Sequence, residues 1–132
     1  MRHRKSKSTL DRNASQRQRL RRSLAISLVM NEKIITTKAR GRVLKSYVER
    51  LITIGRKNNE VVYRRLHGVL GKAAAAKKII HVLAPRYQPV KGGYLRATKL
   101  PARHGDQSEM VFIEFVKAQP LLSSKLTRPI KY

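Results

Sequence analysis

The chain has 132 residues, enough for one domain with a modest core and too few for two comfortable ones. Hydrophobic residues make up 41% and aromatics only 5%, so any core must be small and aliphatic. Thirty-one Lys and Arg stand against seven Asp and Glu, a formal charge of +24 that penalises a compact state unless a polyanion answers it.

Nucleic acids and anionic membrane surfaces are polyanions of that kind. No run approaches the roughly 18 apolar residues of a spanning helix. The apolar stretch "LAISLVM" follows 22 strongly polar residues, a poor fit to a secretory signal, and "MRHRKSKS" lacks the amphipathic stripe of an organellar transit peptide. Without cysteine there is neither a disulfide framework nor a thiolate metal site, which suits a cytoplasmic protein.

Residues 1–14 show no hydrophobic periodicity and read as an extended basic arm. The first helix begins at Asn13 or Ser15, with "NASQ" offering a weak capping box. Its polarity changes from end to end: "QRQRLRR" is basic on almost every side, whereas "LAISLVM" is apolar nearly all round. The second half therefore belongs in a core from which the first half projects. Arg17 and Arg19 near the helix N-terminus oppose the macrodipole, a conflict that a bound phosphate would reverse.

"KIITTK" reads as a short strand, and Thr37 can cap the helix that follows. Leu44, Tyr47, Val48, Leu51 and Ile52 recur there at the spacing of a core-facing stripe, with Arg42, Lys45, Glu49, Arg50 and Arg56 on the remaining face. A shorter helix lies between Asn58 or Asn59 and the glycines Gly68 and Gly71. "KAAAAKKIIHVL" forms another, with a stripe of Ala76, Ile79, Ile80 and Leu83, ended by Pro85. "RYQPVKGGY" is a loop. Strands at 94–100 and 110–116 pair as an antiparallel hairpin, with Glu114 on its more exposed face. Residues 15–117 thus form one α/β domain, with a sheet of two or three strands covered on one side by about four helices. Residues 118–132 read as a docking tail or disordered end.

Catalysis finds no footing. The seven acids are scattered, and His3, His67, His81 and His104 lack metal-ligand spacing. There is neither a phosphate-binding "GxxxxGK[ST]" nor a "GxGxxG". His67 and His81 read as helix-surface or partly packed residues. The Gly92–Gly93 pair either makes a turn that needs a positive φ or lets the backbone approach a phosphate between Lys91 and Arg96. A membrane binder would need large aromatic anchors on a basic amphipathic helix, and none is present. Nucleic-acid binding remains, through Arg and Lys contacts to phosphates and with no DNA-reading motif or base-stacking strand motif. Such a protein reads shape, which favours folded RNA; a nucleoid-type DNA-binding architectural protein is the alternative.

Three blocks, "MRHRKS", "SLVMNEKIITTKARGRVLKSYVERLITIGRK" and "GGYLRATKL…GD…MVFIEFV", occur in this order and spacing and together resemble the large-subunit ribosomal protein seventeen family of bacteria over residues 1–117. The resemblance implies a non-catalytic component of the large ribosomal subunit that binds large-subunit ribosomal RNA. It also implies a place near the exit of the nascent-peptide tunnel, beside other ribosomal proteins, on a bacterial rather than an organellar ribosome. No cofactor or small-molecule substrate is implied. The family fold is a compact α/β domain with a small mixed sheet and a basic N-terminal extension. The basic start falls on Arg2, His3, Arg4 and Lys5, the strand-to-helix block on Ile34 to Lys38, and the glycine turn on Gly92, Gly93 and Tyr94. Gly41 replaces a better helix former, which implies a looser start to the second helix, and "QPVKGGY" lacks an arginine that often precedes the glycines. The candidate RNA contacts are Arg2, His3, Arg4, Lys5, Lys7, Arg12, Arg17, Arg19, Arg21 and Arg22 in the arm and first helix. Lys38, Arg40, Lys91, Gly92, Gly93, Arg96 and Arg103 join them around the strand ends.

Overall fold

The computed structural model of the chain describes residues 8–116. Its first helix, α1 (Ala14–Asn31), divides as its polarity does. Ala25, Leu28 and Val29 are buried, and Leu24 and Ile26 pack partly against the core, whereas Ala14, Ser15 and Gln16 are exposed. Met30 is the departure, reaching the surface from the apolar half. Asn13 stands at the N-cap, but its side chain accepts no bond, so the capping box does not form. At the other end Glu32 takes a left-handed φ of 61°, and its N–H donates to the Leu28 carbonyl at 2.8 Å.

β1 (Lys33–Thr37) follows, and α2 (Lys38–Gly55) starts at once, with Thr37 at its N-cap but forming no side-chain cap bond. Four members of the expected stripe, Leu44, Val48, Leu51 and Ile52, are buried; Tyr47 is only partly so. Gly41 corrects the expectation of a loose helix start. It is buried, and a Cβ there would lie 2.6 Å from Val111 Cγ2 and 3.0 Å from Ile113 Cδ1. The missing side chain is what lets α2 lie this close to the sheet.

α3 (Glu60–Leu70) is capped by Asn59, whose Oδ1 accepts the Val62 N–H at 2.8 Å, and ends at Gly71 with φ 68°. Gly68 lies inside this helix, not at its end. α4 (Ala73–Lys78) runs into a π-helical stretch, Ile79–Leu83, and then into α5 (Ala84–Arg86). Pro85 therefore does not stop the helix where expected. The Ala84 N–H donates to the Ile79 carbonyl, five residues back, and this wider turn accommodates a proline whose ring and missing N–H would break a regular α-helix.

β2 (Leu95–Leu100) and β3 (Met110–Phe115) form the expected hairpin, and β1 joins the other side of β3, giving the order β1-β3-β2. Lys33 lies opposite Glu114 in one pairing and Arg96 opposite Glu114 in the other. Both pairings are antiparallel, so the implied mixed sheet is corrected. β1 and β2 point the same way but β3 separates them, and no parallel ladder forms. Val111, Ile113 and Phe115 are buried beneath the helices, whereas Phe112 and Glu114 remain partly open on the outer face beside the exposed Ile35. Within the described residues, β1 and β2 are both edge strands.

Two tyrosines bounding the predicted loop are core residues. Tyr87 and Tyr94 are almost wholly buried, with ring centroids 5.1 Å apart, and Tyr87 donates its hydroxyl to the Val116 carbonyl at 2.5 Å. Arg56 holds the intervening segment, donating to the carbonyls of Gln88 at 2.5 Å and Val90 at 3.1 Å. The outcome is the expected α/β domain, with a three-stranded sheet covered on one face by about four helices.

Glu32 joins three elements. Its carboxylate accepts from Arg86 at 2.9 Å and lies 3.2 Å from Lys78, and its carbonyl accepts the Phe115 N–H at 3.2 Å. The bond from the Arg86 guanidinium, reinforced by Lys78, holds the carboxyl down at about 2 against the opposing effect of partial burial.

Two measurements test these contacts. Gly41→Ala should destabilise the domain by about 1–3 kcal/mol in urea denaturation, although alanine is the better helix former by about 1 kcal/mol. Adding Val111→Ala should recover part of the loss; a stabilised Gly41→Ala would show that the close approach constrains nothing. Because Glu32 titrates lower folded than unfolded, its ion pair stabilises above an unfolded value of ~4.3 and fades as pH falls through about 2. Glu32→Gln should therefore cost about 1 kcal/mol at neutral pH, a modest figure because the carboxylate keeps solvent contact. That difference should vanish in the most acid samples, and a constant offset at every pH would contradict the ion pair.

Candidate nucleic-acid interface

Four of the acids are engaged in ion pairs among the described residues: Glu32 as above, Glu60 with Arg64, Asp106 with Arg103, and Glu109 with Lys38. Each partner lies at or near the surface, so these pairs organise local structure more than they stabilise the fold. Among the described residues no cluster of His, Asp and Glu could hold a metal ion. No helix there is long and apolar enough to cross a membrane.

The nominated cations separate by what they touch. Arg12 and Arg19 are exposed. Arg17 is half-buried, and its Nη1 donates to the Arg12 carbonyl at 3.2 Å, tying the start of α1 to the segment before it. Arg22 turns inward: Nε donates to the Val69 carbonyl at 2.8 Å, so the side chain serves the C-terminal turn of α3. Arg21 lies over the Tyr47 ring with 5.7 Å between guanidinium carbon and centroid, and its Nε is buried with no acceptor among the described residues. Burial pushes the Tyr47 hydroxyl up, with Arg21 and Arg22 opposing it.

Around the strand ends the picture is again split. Lys38 reaches Glu109 at 2.7 Å, whereas Arg40 is exposed. Arg103 pairs with Asp106, and the Ser108 N–H and hydroxyl also donate to that carboxylate, which is held well below the usual range by Arg103 first and Ser108 next. Lys91, Gly92, Gly93 and Arg96 are all exposed, and Gly93 alone of the glycine pair needs its freedom, with φ 73°. A Cβ on either glycine would meet nothing within 4 Å among the described residues. Arg2, His3, Arg4, Lys5 and Lys7 lie outside the described residues.

The fold also brings together residues that were not nominated. Arg42 and Arg50 of α2 line a cleft of about 530 Å³ with Arg17 and Arg21 of α1. Their spacing along α2 was readable, but a row of cations on a helix reads as solvated surface until a second helix is laid beside it.

The family description Ribosomal protein L17 matches residues 20–116. The large ribosomal subunit protein bL17 of Hydrogenobaculum sp. (strain Y04AAS1) is 44% identical over 118 residues, covering 89% of this chain and all of the relative. That of Sulfurimonas denitrificans is 40% identical over 116 residues, covering 88% of this chain and all of the relative. The bL17 protein of Koribacter versatilis is 34% identical over 125 residues, covering 95% of this chain and 78% of the relative. These are structural ribosomal proteins, not enzymes, in agreement with the absence of a catalytic motif in the sequence. A family match over residues 20–116, with relatives up to 44% identical over most of the chain, makes it a member of the L17 family of ribosomal proteins.

Proposed function

We propose that the chain is a structural constituent of the large ribosomal subunit in the bacterial cytoplasm, where it binds large-subunit ribosomal RNA through phosphate contacts. It fixes the relative position of RNA segments near the exit of the nascent-peptide tunnel, beside neighbouring ribosomal proteins. The arm 1–14 and the first turns of α1 supply the leading contacts, the domain 15–117 anchors them, and the tail 118–132 is left for docking. One observation carries this reading: α1 joins a buried apolar half to a cationic half whose first residues are exposed and whose first turn holds no acid. The free N–H groups of that turn and its arginines then attract the same anion.

The test compares the full-length chain with a variant carrying Arg2→Gln, Arg4→Gln, Lys5→Gln and Lys7→Gln. If these four cations each neutralise a phosphate, the slope of log affinity against log salt for large-subunit RNA should flatten by about 3. In lysates the wild-type protein should sediment with large subunits and be released by ribonuclease. Release by deoxyribonuclease alone would favour the nucleoid alternative, and an unchanged slope would remove the arm from the interface.

A further inference from the structure

We infer that the cleft between α1 and α2 is a discrete site that seats two neighbouring phosphates of one RNA strand, with Arg42 and Arg50 as contacts alongside Arg17 and Arg21. The inference rests on the RNA-binding reading and deepens it, replacing diffuse basic surface with a built pocket.

Its geometry follows from helix periodicity. Arg17 and Arg21 are four residues apart on α1, and Arg42, Ser46 and Arg50 are successive positions four apart on α2. Each set occupies one helix face. The two sets face each other across a cleft of about 530 Å³, to which Ser46 and Ser8 also contribute. Ser46 donates its hydroxyl to the Val43 carbonyl at 3.1 Å, so the guanidiniums are left as the donors. Arg42 and Arg50 span about 12 Å along the helix axis, more than a single phosphate covers.

Charge explains why the cleft needs an occupant. Among the described residues four guanidiniums line it and no carboxylate does. Of the four, Arg17 donates to the Arg12 carbonyl at 3.2 Å, whereas the buried Nε of Arg21 has no acceptor among the described residues. Bringing four such groups together costs self-repulsion, and a single phosphate would offset one charge of the four. Planar guanidiniums on both walls suit the forked hydrogen bonding that phosphate oxygens accept. Ser8 also borders the cleft.

The deciding comparison uses two full-length variants that lose equal charge. One carries Arg17→Gln, Arg42→Gln and Arg50→Gln; the other carries Arg65→Gln, Lys72→Gln and Lys77→Gln, exposed positions away from the cleft. The cleft variant should bind large-subunit RNA at least about tenfold more weakly near physiological salt, with the salt slope reduced by about 2. The control variant should stay within about threefold of wild type. Without RNA the cleft variant should also melt higher than wild type, because clustered cations have been removed. If it does not fold, Arg42→Gln with Arg50→Gln, both on exposed positions, should still weaken RNA binding more than any two control substitutions. Equal losses in cleft and control variants would overturn the pocket while leaving RNA binding intact. A wild-type chain with no preference for ribosomal RNA would bring down both. Inorganic phosphate, matched to chloride in ionic strength, should protect the wild type from heat less than an RNA oligonucleotide at equal phosphate concentration. Equal protection would reduce the cleft to a free-anion site and end the strand assignment.

Discussion

Repulsion among cations is the constraint to which the rest of this structure answers. With seven acids available to 31 bases, carboxylates cannot neutralise the chain, and the four that form ion pairs among the described residues are used locally. Glu32 ties the end of α1 to the close of the α4–α5 run, and Asp106 organises the loop between β2 and β3. Beyond these, backbone carbonyls take the place of carboxylates. Lys78 donates to the Met30 carbonyl, Arg22 to that of Val69, and Arg56 to those of Gln88 and Val90. Two of these acceptors lie in the last turn of a helix, where the partial negative charge of the helix end already favours a cation. The fold thus absorbs part of its excess charge without spending acids it does not have.

Such an arrangement needs a core that holds despite the charge around it. The centre is aliphatic, from Leu28 and Val29 through Leu44, Val48 and Ile52 to Leu83 and Ile113, with Tyr87 and Tyr94 supplying most of the aromatic bulk. α1 is the element that connects this interior to the cationic surface. Its buried half fixes the direction of the other half, in which Arg19 is exposed while Arg17, Arg21 and Arg22 lie partly packed against the segment before the helix, α2 and α3.

How much was legible in the sequence follows from which interactions are local. The stripe of α2, the alternation in β3 and the polarity switch in α1 come from periodicities of 3.6 and 2, and each occurs where it was expected. What escaped depends on contacts between distant residues. The partner of β1 is β3, more than 70 positions away, and a strand pattern does not name its neighbour. Gly41 looked like a weakness of α2 because helix propensity ignores the valine and isoleucine across the interface. Pro85 was read as a stop because a π-helical turn leaves no mark in composition. The candidate site divides likewise: Arg22 and Arg103 were nominated for their charge, yet each meets an oxygen of its own chain. Arg42 and Arg50 were passed over because only the packing of two helices makes them neighbours of Arg17 and Arg21.

The position of β3 in the middle of the sheet has a further effect. Among the described residues it leaves β1 and β2 each with a row of backbone donors and acceptors open on one side, the kind of margin on which a second chain can add a strand and begin a fibril. Those margins carry Lys33 on one strand and Arg96 and Lys99 on the other. Two copies approaching edge to edge would press like charges together at the spacing of a hydrogen bond. The same excess of lysine and arginine that dominates the chain's charge thereby disfavours pairing of copies along these edges.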